Sequence, residues 1–533
     1  MITKNKTANK IEYGDYQTPI SFAHSVCAKL KDQYKLSPTV IFEPTFGVGN
    51  FIESALTEFE NVQTVYGVEV DSQHYTLANE RLWNQGLSSS LALYNDDIFS
   101  FDFSNIKERI SKEDNILIIG NPPWATNSQL SSMNSYNLPL KDNFKGHSGL
   151  DAVTGKGNFD IAEYIVLQLL SEFSGYNCTL AMLCKTIVAK NIIRDIEKYS
   201  FGIDTADLHI FNASDVFGVS CDAALFVVKL GDSDSAICSV YDYYTNTKER
   251  QFGWLNGAFF SNISSSENTT RIDGSCQLEW RQGVKHDCSK VMELKTDTEG
   301  NFINGFGDVL ELPVGQFVFP LVKSSDIKVD EISETRKHVI ITQQRVNADT
   351  SAIEYKEKAV WDYLIRHEDL LNARRSIIYK KSPKFSIFGI GDYSFSKYKV
   401  GISGFYKEPK FALINGDIPI MLDDTCYFLS FHIIEDAIIT VALLNSMECQ
   451  QFLKSIAFLD SKRPYTKEIL KRIDILKLSE AVPFERVLAY ALSMKNSYHI
   501  TERHYQDYLA RLGGKTVYNN NVKQAHCTNH LCS

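Results

Sequence analysis

Five consecutive residues, Gly120-Asn121-Pro122-Pro123-Trp124, hold most of the chemical information in this chain of 533 residues. They follow the apolar run 116–119, which predicts a buried strand. Because the two prolines lack backbone N–H groups and stiffen the loop, the Asn121 side-chain oxygen and the Pro122 carbonyl are held as hydrogen-bond acceptors. The Trp124 indole adds a flat surface for stacking. The pattern predicts a pocket for a planar ring that carries an amino group; a rigid loop with a surface tryptophan is the structural alternative.

Three other polar elements precede this loop, and each follows a strand-like run. Glycines in Glu43-Pro44-Thr45-Phe46-Gly47-Val48-Gly49 let the backbone approach a ligand closely, or they serve a simple tight turn. In Glu69-Val70-Asp71, an acidic side chain is placed to bind ribose hydroxyls, although Asp71 also suits a helix cap. The polar strand end Asn95-Asp96-Asp97-Ile98 predicts a contact with an adenine amino group, with a capped turn as its alternative.

The elements that must position these residues are short strands that alternate with helices. The strand-like runs are 39–43, 64–69, 115–119, 179–183 and 223–228, and amphipathic stretches such as 72–82 and 161–172 lie between them. This alternation predicts an α/β fold with a mixed, mainly parallel sheet that is covered on both faces. The run 223–228 follows an acidic turn and is predicted as an antiparallel edge strand.

The charge of the chain at first argues against nucleic acid as a partner, because 65 acidic and 55 basic residues give a net charge of −10. That charge is unevenly distributed. Residues 1–240 carry 18 basic and 29 acidic side chains, whereas residues 241–533 carry 37 and 36. The nearly neutral second half therefore stays compatible with nucleic acid. A hydrophobic share of 44% describes a globular protein and excludes a disordered chain.

Other features of composition predict a cytoplasmic protein without a membrane or a metal as partner. No run approaches the roughly 18 apolar residues that a membrane helix needs. The first 19 residues are polar and show no secretory signal. The 11 cysteines are scattered without a CxxC pair, which is typical of reduced thiols rather than of a zinc site.

Basic and aromatic residues concentrate in two segments of the second half, 372–400 and 454–477. Basic side chains suit phosphate contacts, and arginine can also read base edges. A solvated protein face is the alternative interpretation. The predicted DNA-binding residues are Arg374, Arg375, Lys380, Lys381, Lys384, Lys397, Lys399, Lys462 and Arg463.

In this order the motifs resemble those of the gamma class of DNA adenine-N6 methyltransferases, which belong to type II restriction–modification systems and depend on S-adenosylmethionine. Tyr16-Gln17-Thr18-Pro19 matches the motif that contacts the methionine moiety of the cofactor. Gly157-Asn158-Phe159-Asp160 resembles a motif that lines the pocket, and Val216-Phe217-Gly218 matches the position of a second stacking aromatic. The resemblance covers residues 13–230 well and the rest loosely. Trp124 stands where tyrosine is commoner, and the large Phe46 lies in the glycine loop.

The resemblance implies a Rossmann-like class I methyltransferase domain at 1–240, a mixed α/β target-recognition region at 241–480, and a helical extension with a tail at 481–533. It implies catalysis by the Asn121 loop and stacking of a flipped-out adenine between Trp124 and Phe217. We expect a monomer that acts on double-stranded DNA, alongside a separate restriction endonuclease for the same site. The implied cofactor-binding residues are Thr18, Pro19, Glu43, Pro44, Gly47, Gly49, Glu69, Asp71, Asp97, Ile98 and Asn121.

Three other functions remain open at this level. Loops of the Asn-Pro-Pro-aromatic type also occur in methyltransferases that act on RNA bases or on a protein glutamine amide. Methylation of cytosine N4 is disfavoured, because those enzymes usually have serine where this chain has Asn121. A catalytically inactive subunit that binds DNA for a partner is the third alternative. The long basic and aromatic region after the catalytic motifs favours DNA as the substrate.

Overall fold

The computed structural model describes residues 17–84, 91–125, 160–199, 201–219, 221–233, 235–266, 269–312 and 314–514. The chain divides into two compact units, Met1–Ser264 and Ser265–Ser533. Tyr16, Gly157, Asn158 and Phe159 of the predicted motifs lie outside the described residues. Within the described ranges, no helix is long and apolar enough to cross a membrane.

The first unit is built on a ten-stranded sheet with the order β10-β9-β8-β6-β7-β5-β4-β1-β2-β3. Strands β1 to β5 run parallel to their neighbours among themselves, and β7 runs antiparallel to both β5 and β6. Its strands are β1 (Val40–Glu43), β2 (Thr64–Glu69), β3 (Leu91–Asn95), β4 (Ile116–Gly120), β5 (Cys178–Lys185), β6 (Ile203–Asn212), β7 (Asp222–Leu230), β8 (Ile237–Asp242), β9 (Lys248–Leu255) and β10 (Ala258–Phe260).

The predicted α/β class is confirmed, and two details of the prediction are corrected. Strand β7 is antiparallel as expected, but it lies inside the sheet because β6 pairs with its far side. The predicted domain boundary at residue 240 falls within β8, which pairs with β6 and continues the sheet through β9 and β10. The first unit therefore extends to Ser264.

Helices cover both faces of this sheet. Apolar residues of the first three helices share one buried cluster with Ile41 of β1 and Leu117 of β4. On the opposite face, the Phe42 ring lies 5.9 Å from that of Phe173, which follows the fifth helix. The helices are α1 (Ile20–Tyr34), α2 (Asn50–Glu58), α3 (Ser72–Asn84), α4 (Ser104–Lys107), α5 (Ile161–Glu172), α6 (Thr186–Asp195) and α7 (Ala213–Phe217).

The second unit contains two smaller sheets, with the orders β11-β21-β18-β19-β16 and β14-β13-β12-β17-β15-β20. Most of these strands are short, and separate apolar clusters pack against them. The strands are β11 (Arg281–Gln282), β12 (Glu293–Thr296), β13 (Phe302–Ile303), β14 (Val309–Leu310), β15 (Val318–Val322), β16 (Glu331–Ile332), β17 (Lys337–Ile340), β18 (Tyr398–Ser403), β19 (Phe411–Asn415), β20 (Met421–Leu422) and β21 (Cys426–Phe431).

The helices of this unit include the segment that was predicted as a separate extension from residue 481. The Tyr490 hydroxyl donates to Asp330 at 2.6 Å, and Arg511 pairs with the fully buried Asp436. The extension therefore belongs to the same unit. The helices are α8 (Ser289–Met292), α9 (Ile353–Lys356), α10 (Lys358–Arg366), α11 (Glu368–Asn372), α12 (Ile434–Leu444), α13 (Met447–Ile456), α14 (Lys467–Leu470), α15 (Ile475–Ala481), α16 (Phe484–Ser493) and α17 (Glu502–Gly513).

Candidate active site

The glycine loop between β1 and α2 is tied to the end of β2. The Gly47 N–H donates to Glu69 Oε2 at 2.7 Å. Gly47 and Gly49 have φ values of +53° and +78°, a backbone region that favours glycine. A Cβ atom on Gly49 would lie 3.3 Å from the Cβ of Ala78 in α3. Glycine at 49 therefore serves both the turn and the close packing of α3 on α2.

The described part of the N-terminal motif lies against this loop. The Val48 N–H donates to Gln17 Oε1 at 3.3 Å, and the Asn50 side chain donates to the Thr18 carbonyl at 2.7 Å. Pro19 then stands at the N-cap position of α1. The structure thus brings two of the predicted cofactor motifs together, although they are about thirty residues apart in the sequence.

Glu43, at the end of β1, is buried and positions the start of α2. Its Oε2 accepts a hydrogen bond from the Ile52 N–H at 3.2 Å. Burial raises the pKa of the Glu43 carboxyl well above its usual range, and the nearby Glu69 charge adds to the increase. A direct contact between Glu43 and the cofactor stays a prediction, as it does for the adjoining Pro44.

Glu69 is placed as the sequence predicts for a nucleoside ligand, at the carboxyl end of β2. Its two oxygens accept the N–H groups of Gly47 and Asp71, at 2.7 and 2.8 Å. Each oxygen keeps a second acceptor position for a hydroxyl group. Burial is the largest cause of the raised pKa of this carboxyl. Beside it, the apolar side chain of Val70 is 45% exposed at the strand end and suits a flat apolar ring.

Asp71 takes the alternative role that its position allowed. Its Oδ1 accepts the N–H groups of Gln73 and His74 at 2.8 and 3.0 Å, in the first turn of α3. The helix cap is therefore confirmed.

Val70 was missed as a candidate contact for the cofactor, because no sequence signal separates an exposed apolar residue at a strand end from a buried one.

The polar strand end 95–98 lies next to Glu69, because Asn95 pairs with Glu69 in the parallel register of β3 and β2. Asp97 Oδ1 accepts the Phe99 N–H at 3.0 Å, and burial raises the pKa of the Asp97 carboxyl. Ile98 is buried, and its carbonyl accepts from the Gln168 side chain at 3.3 Å. A carboxylate at this edge remains a predicted partner for an amino group.

The Asn121 loop follows β4 at the same edge of the sheet. A Cβ atom built on Gly120 would lie 3.5 Å from Glu43 Cγ and 3.6 Å from Pro44 Cδ, so the loop begins beside the end of β1. Pro122 is buried, while Asn121 and Pro123 are half-buried. All four predicted elements thus meet at the carboxyl ends of β1, β2, β3 and β4, where α/β sheets bind ligands.

Trp124 and Phe217 lie against each other in this structure, and their sandwich around a flipped-out adenine stays a prediction. Their ring centroids lie 5.1 Å apart at an interplanar angle of 75°. A base between two parallel rings needs two stacking distances, or about 7 Å. Packing holds the two rings in this contact. Trp124 is buried, and its Nε1 donates to the Leu183 carbonyl at 3.3 Å. Phe217 packs against the cluster around Phe22 and Phe211.

Lys185, at the end of β5, was missed by sequence reasoning and holds the end of the Asn121 loop. Its Nζ donates to the Trp124 carbonyl at 2.8 Å and to Asp160 Oδ2 at 2.7 Å. Asp160 also caps α5 by accepting the Ala162 N–H at 3.1 Å. Burial raises the pKa of Asp160, and the Lys185 charge opposes that increase. A basic residue directly after the buried apolar run 178–184 was the available signal.

We expect Lys185→Met to lower kcat for methyl transfer, because the Trp124 carbonyl loses the donor that fixes the loop. The unfolding free energy should also fall by about 3 kcal/mol, since Asp160 is left as a buried charge without this cation. Single-turnover rates and chemical denaturation test the two effects. Lys198→Met is the matched control, because Lys198 forms an exposed ion pair with Asp195. An unchanged kcat in a folded Lys185→Met protein would show that the contact only stabilises the fold.

The predicted DNA-binding residues separate into exposed and buried groups, which corrects two of them. Arg374 is buried, and its guanidinium donates to the carbonyls of Leu371, His286 and Ser386 at 2.7, 3.2 and 2.8 Å. Lys399 is fully buried in β18. Neither can contact DNA in this fold. The predicted set was grouped by closeness in the sequence, whereas the local backbone directs the side chains of Arg374 and Lys399 into the protein interior.

The other members reach solvent. Lys384 pairs with Glu368 at 2.8 Å, and the half-buried Arg463 lies 4.9 Å from the centroid of the Phe405 ring. The remaining exposed members are Arg375, Lys380, Lys381, Lys397 and Lys462.

Comparison with known proteins gives one extended match in sequence. No family model matches the chain. The chain is 38% identical over 482 residues to the type II methyltransferase M.NspV of Nostoc sp., covering 90% of this chain and 99% of that protein.

Solved structures resemble the chain more distantly. The type IIG restriction endonuclease BpuSI aligns with 93% of this chain and 64% of its own, at 13% identity and a TM-score of 0.35. The methyltransferase subunit of a type I restriction–modification system from Streptococcus thermophilus aligns with 42% of this chain and 46% of its own, at 15% identity and a TM-score of 0.30.

The strand order β3-β2-β1-β4-β5-β7-β6, with β7 alone reversed among these seven strands, is that of class I methyltransferases. The cofactor is S-adenosylmethionine, and the turn at Gly47 and Gly49, the Glu69 carboxylate and the exposed Val70 fit its nucleoside portion. Identity at this level over nearly the whole of both proteins shows the family. The chain belongs to the type II DNA methyltransferases of restriction–modification systems.

Proposed function

We propose that this protein methylates the N6 amino group of an adenine that is flipped out of double-stranded DNA, and that this protects the site from a cognate restriction endonuclease. The observation that carries the proposal is the placement of Asn121 and Pro122 at the end of β4, beside Glu43 and Pro44 of the glycine loop. Two fixed acceptors at the cofactor edge of the sheet suit a substrate that presents an NH₂ group.

The chemistry that the chain must supply is mainly positioning. An adenine amino lone pair is delocalised into the ring and is a poor nucleophile. When the Asn121 oxygen and the Pro122 carbonyl accept the two N–H bonds, a more tetrahedral nitrogen with a directed lone pair is favoured. When bound, S-adenosylmethionine supplies an electrophilic methyl group. We assign no strong base to the described residues, because the neutral amino nitrogen attacks with its own lone pair as the bond from sulfur to the methyl group breaks. S-adenosylhomocysteine leaves, and the methylated, cationic nitrogen then loses its proton to water.

A flipped base must open the contact between Trp124 and Phe217. Trp124 is held through its Nε1 and its carbonyl, by Leu183 and Lys185. Phe217 instead ends the five-residue helix α7 and is followed by Gly218 with a φ of +69°. We therefore propose that Phe217 moves and Trp124 stays. The Trp124 face that Phe217 leaves then becomes available to the base, and stacking on it offsets part of the few kcal/mol that flipping costs.

DNA contacts are proposed for the exposed basic residues of the second unit. These side chains suit the phosphate backbone, so affinity should fall as the salt concentration rises. We further propose that the protein acts as a monomer in the cytoplasm, where the DNA that a restriction–modification system protects is found. The proposed contacts are Arg375, Lys380, Lys381, Lys384, Lys397, Lys462 and Arg463.

The test is the identity of the methylated base. The full chain is incubated with S-adenosylmethionine and duplex DNA, the DNA is digested to nucleosides, and the modified positions are mapped by single-molecule sequencing. We expect N6-methyladenine at one short sequence. N4-methylcytosine would contradict the adenine assignment. Methylated RNA or glutamine without methylated DNA would contradict the substrate, and cofactor binding without any transfer would indicate an inactive partner subunit.

A further inference from the structure

One exposed loop of the second unit, residues 343–349, is pinned at both ends by buried side chains. At its start, Thr342 Oγ1 donates to the Phe385 carbonyl at 2.8 Å, and Gln343 Nε2 donates to the Ile387 carbonyl at 3.1 Å. At its end, Thr350 Oγ1 donates to the Lys384 carbonyl at 2.6 Å. The three donor side chains are all buried. The loop is therefore fixed onto the segment 384–387, which lies within the basic stretch of this unit.

Between these pins, the side chains point into solvent. Gln344, Arg345, Val346 and Asn347 are all exposed, and Asn347 adopts a left-handed backbone with a φ of +64°. Glutamine, arginine and asparagine are the side chains whose paired hydrogen-bonding groups match base edges in the major groove. No sequence signal selects this loop, because it lies outside the two basic segments.

Arg345 is the side chain of this loop whose orientation is fixed by an ion pair. Its Nε and Nη2 donate to Asp392 Oδ1 and Oδ2 at 3.3 and 2.9 Å, so one edge of the guanidinium is occupied. The other edge, with the Nη1 hydrogens and the second Nη2 hydrogen, remains available, and the Arg345 side chain is 72% exposed. An exposed pair of this kind adds little to stability. Its effect is to hold an arginine fork in a fixed direction.

Asp392 is itself well placed to act as that support. It begins a short helical turn, residues 392–395, whose Ser394 is buried and accepts the Gly391 N–H at 3.3 Å. The support and the loop thus come from two separately anchored segments. Lys384, whose carbonyl pins the loop, is exposed and can contact phosphate on the same DNA.

We propose that Arg345, oriented by Asp392, reads a guanine in the target sequence through the major groove. The free edge of the guanidinium pairs with guanine O6 and N7, the most frequent specific arginine contact to DNA. This inference rests on the proposed function, because it requires duplex DNA as the substrate. It makes residues 343–349 the base-reading loop of the target-recognition region.

The experiment measures methylation rates of the full chain on a plasmid pool that holds every single-base variant of its recognition sequence. For Arg345→Ala, we expect discrimination at one G·C base pair to fall by roughly five- to 150-fold, with the other positions unchanged. Asp392→Asn should weaken discrimination at the same base pair by a smaller factor, since the arginine remains but loses its support. Melting temperatures confirm that each variant is folded.

Arg336→Ala is the matched control, because Arg336 is also exposed and paired with an aspartate, Asp326. It should leave both rate and discrimination unchanged. Equal discrimination in wild type and Arg345→Ala would overturn the inference, as would a uniform loss at every position, which marks a phosphate contact. A wild-type protein that methylates no DNA would refute the proposed function itself, and this inference with it.

Discussion

Replacement of Asn121 by alanine is expected to lower kcat for DNA methylation by about 10²–10³-fold, the usual effect of removing one fixed hydrogen-bonding group from a transition state. The amide oxygen accepts one amino N–H, and alanine leaves only the Pro122 carbonyl to do so. The measurement is transfer of a labelled methyl group to duplex DNA at saturating cofactor. Because the loss arises in the transition state, kcat should fall far more than the affinity for S-adenosylmethionine.

Two further variants make this result specific. Asn121→Asp keeps an acceptor oxygen at the same place, so it should retain more activity than the alanine variant. Asn115→Ala removes an asparagine just before the opposite end of β4, where Asn115 Oδ1 accepts from Asn177 Nδ2 at 2.5 Å, and it should leave kcat unchanged. If alanine at 121 retains the wild-type kcat, the acceptor role is wrong. Equal losses at 121 and 115 would indicate damage to the strand.

The catalytic unit was predictable because its signals are local. Buried parallel strands appear as continuous apolar runs, and β1, β2 and β4 were all recognised in that way. The residues that we predict to bind or catalyse follow those strands directly, so their order along the chain maps onto one sheet edge. Strand β6 was missed because its polar residues, such as Asp204 and His209, interrupt the apolar run, although their side chains are held by tertiary contacts.

What could not be predicted depends on contacts between distant segments. Lys185 and Trp124 are 61 residues apart. The apolar run before Lys185 predicts where this residue lies, but it does not predict which group its side chain contacts. The second unit consists of short strands whose partners lie far along the chain; β15, for example, pairs with β20, about a hundred residues later. Strands of two to six residues are too short for the periodicity of apolar residues to predict them reliably. A cluster of basic residues in the sequence likewise does not show which side chains point to solvent, which is why Arg374 and Lys399 were wrongly predicted to contact DNA.

Lys399 leads to the second large effect, on stability. It is fully buried in β18, and its Nζ donates to the Ser396 carbonyl at 2.5 Å. Burial lowers the pKa of this amine from 10.5 to about 7. Between these pH values, the unfolded chain binds a proton that the folded chain lacks, so the free energy of unfolding contributed by this group rises with pH. Below about pH 7 both states are protonated, and the full cost of burying the charge remains.

Lys399→Met should therefore be more stable than wild type at pH 7, and its advantage should shrink by about 4 kcal/mol as the pH rises to 10. Urea denaturation across this range measures the difference. Lys397→Met is the control, since the neighbouring Lys397 is exposed, and it should reproduce the wild-type pH dependence. DNA affinity should fall in Lys397→Met and stay unchanged in Lys399→Met, because only the exposed Lys397 can contact phosphate. Parallel pH profiles for wild type and Lys399→Met would contradict the buried charge, and weaker DNA binding by a folded Lys399→Met protein would restore Lys399 as a DNA contact.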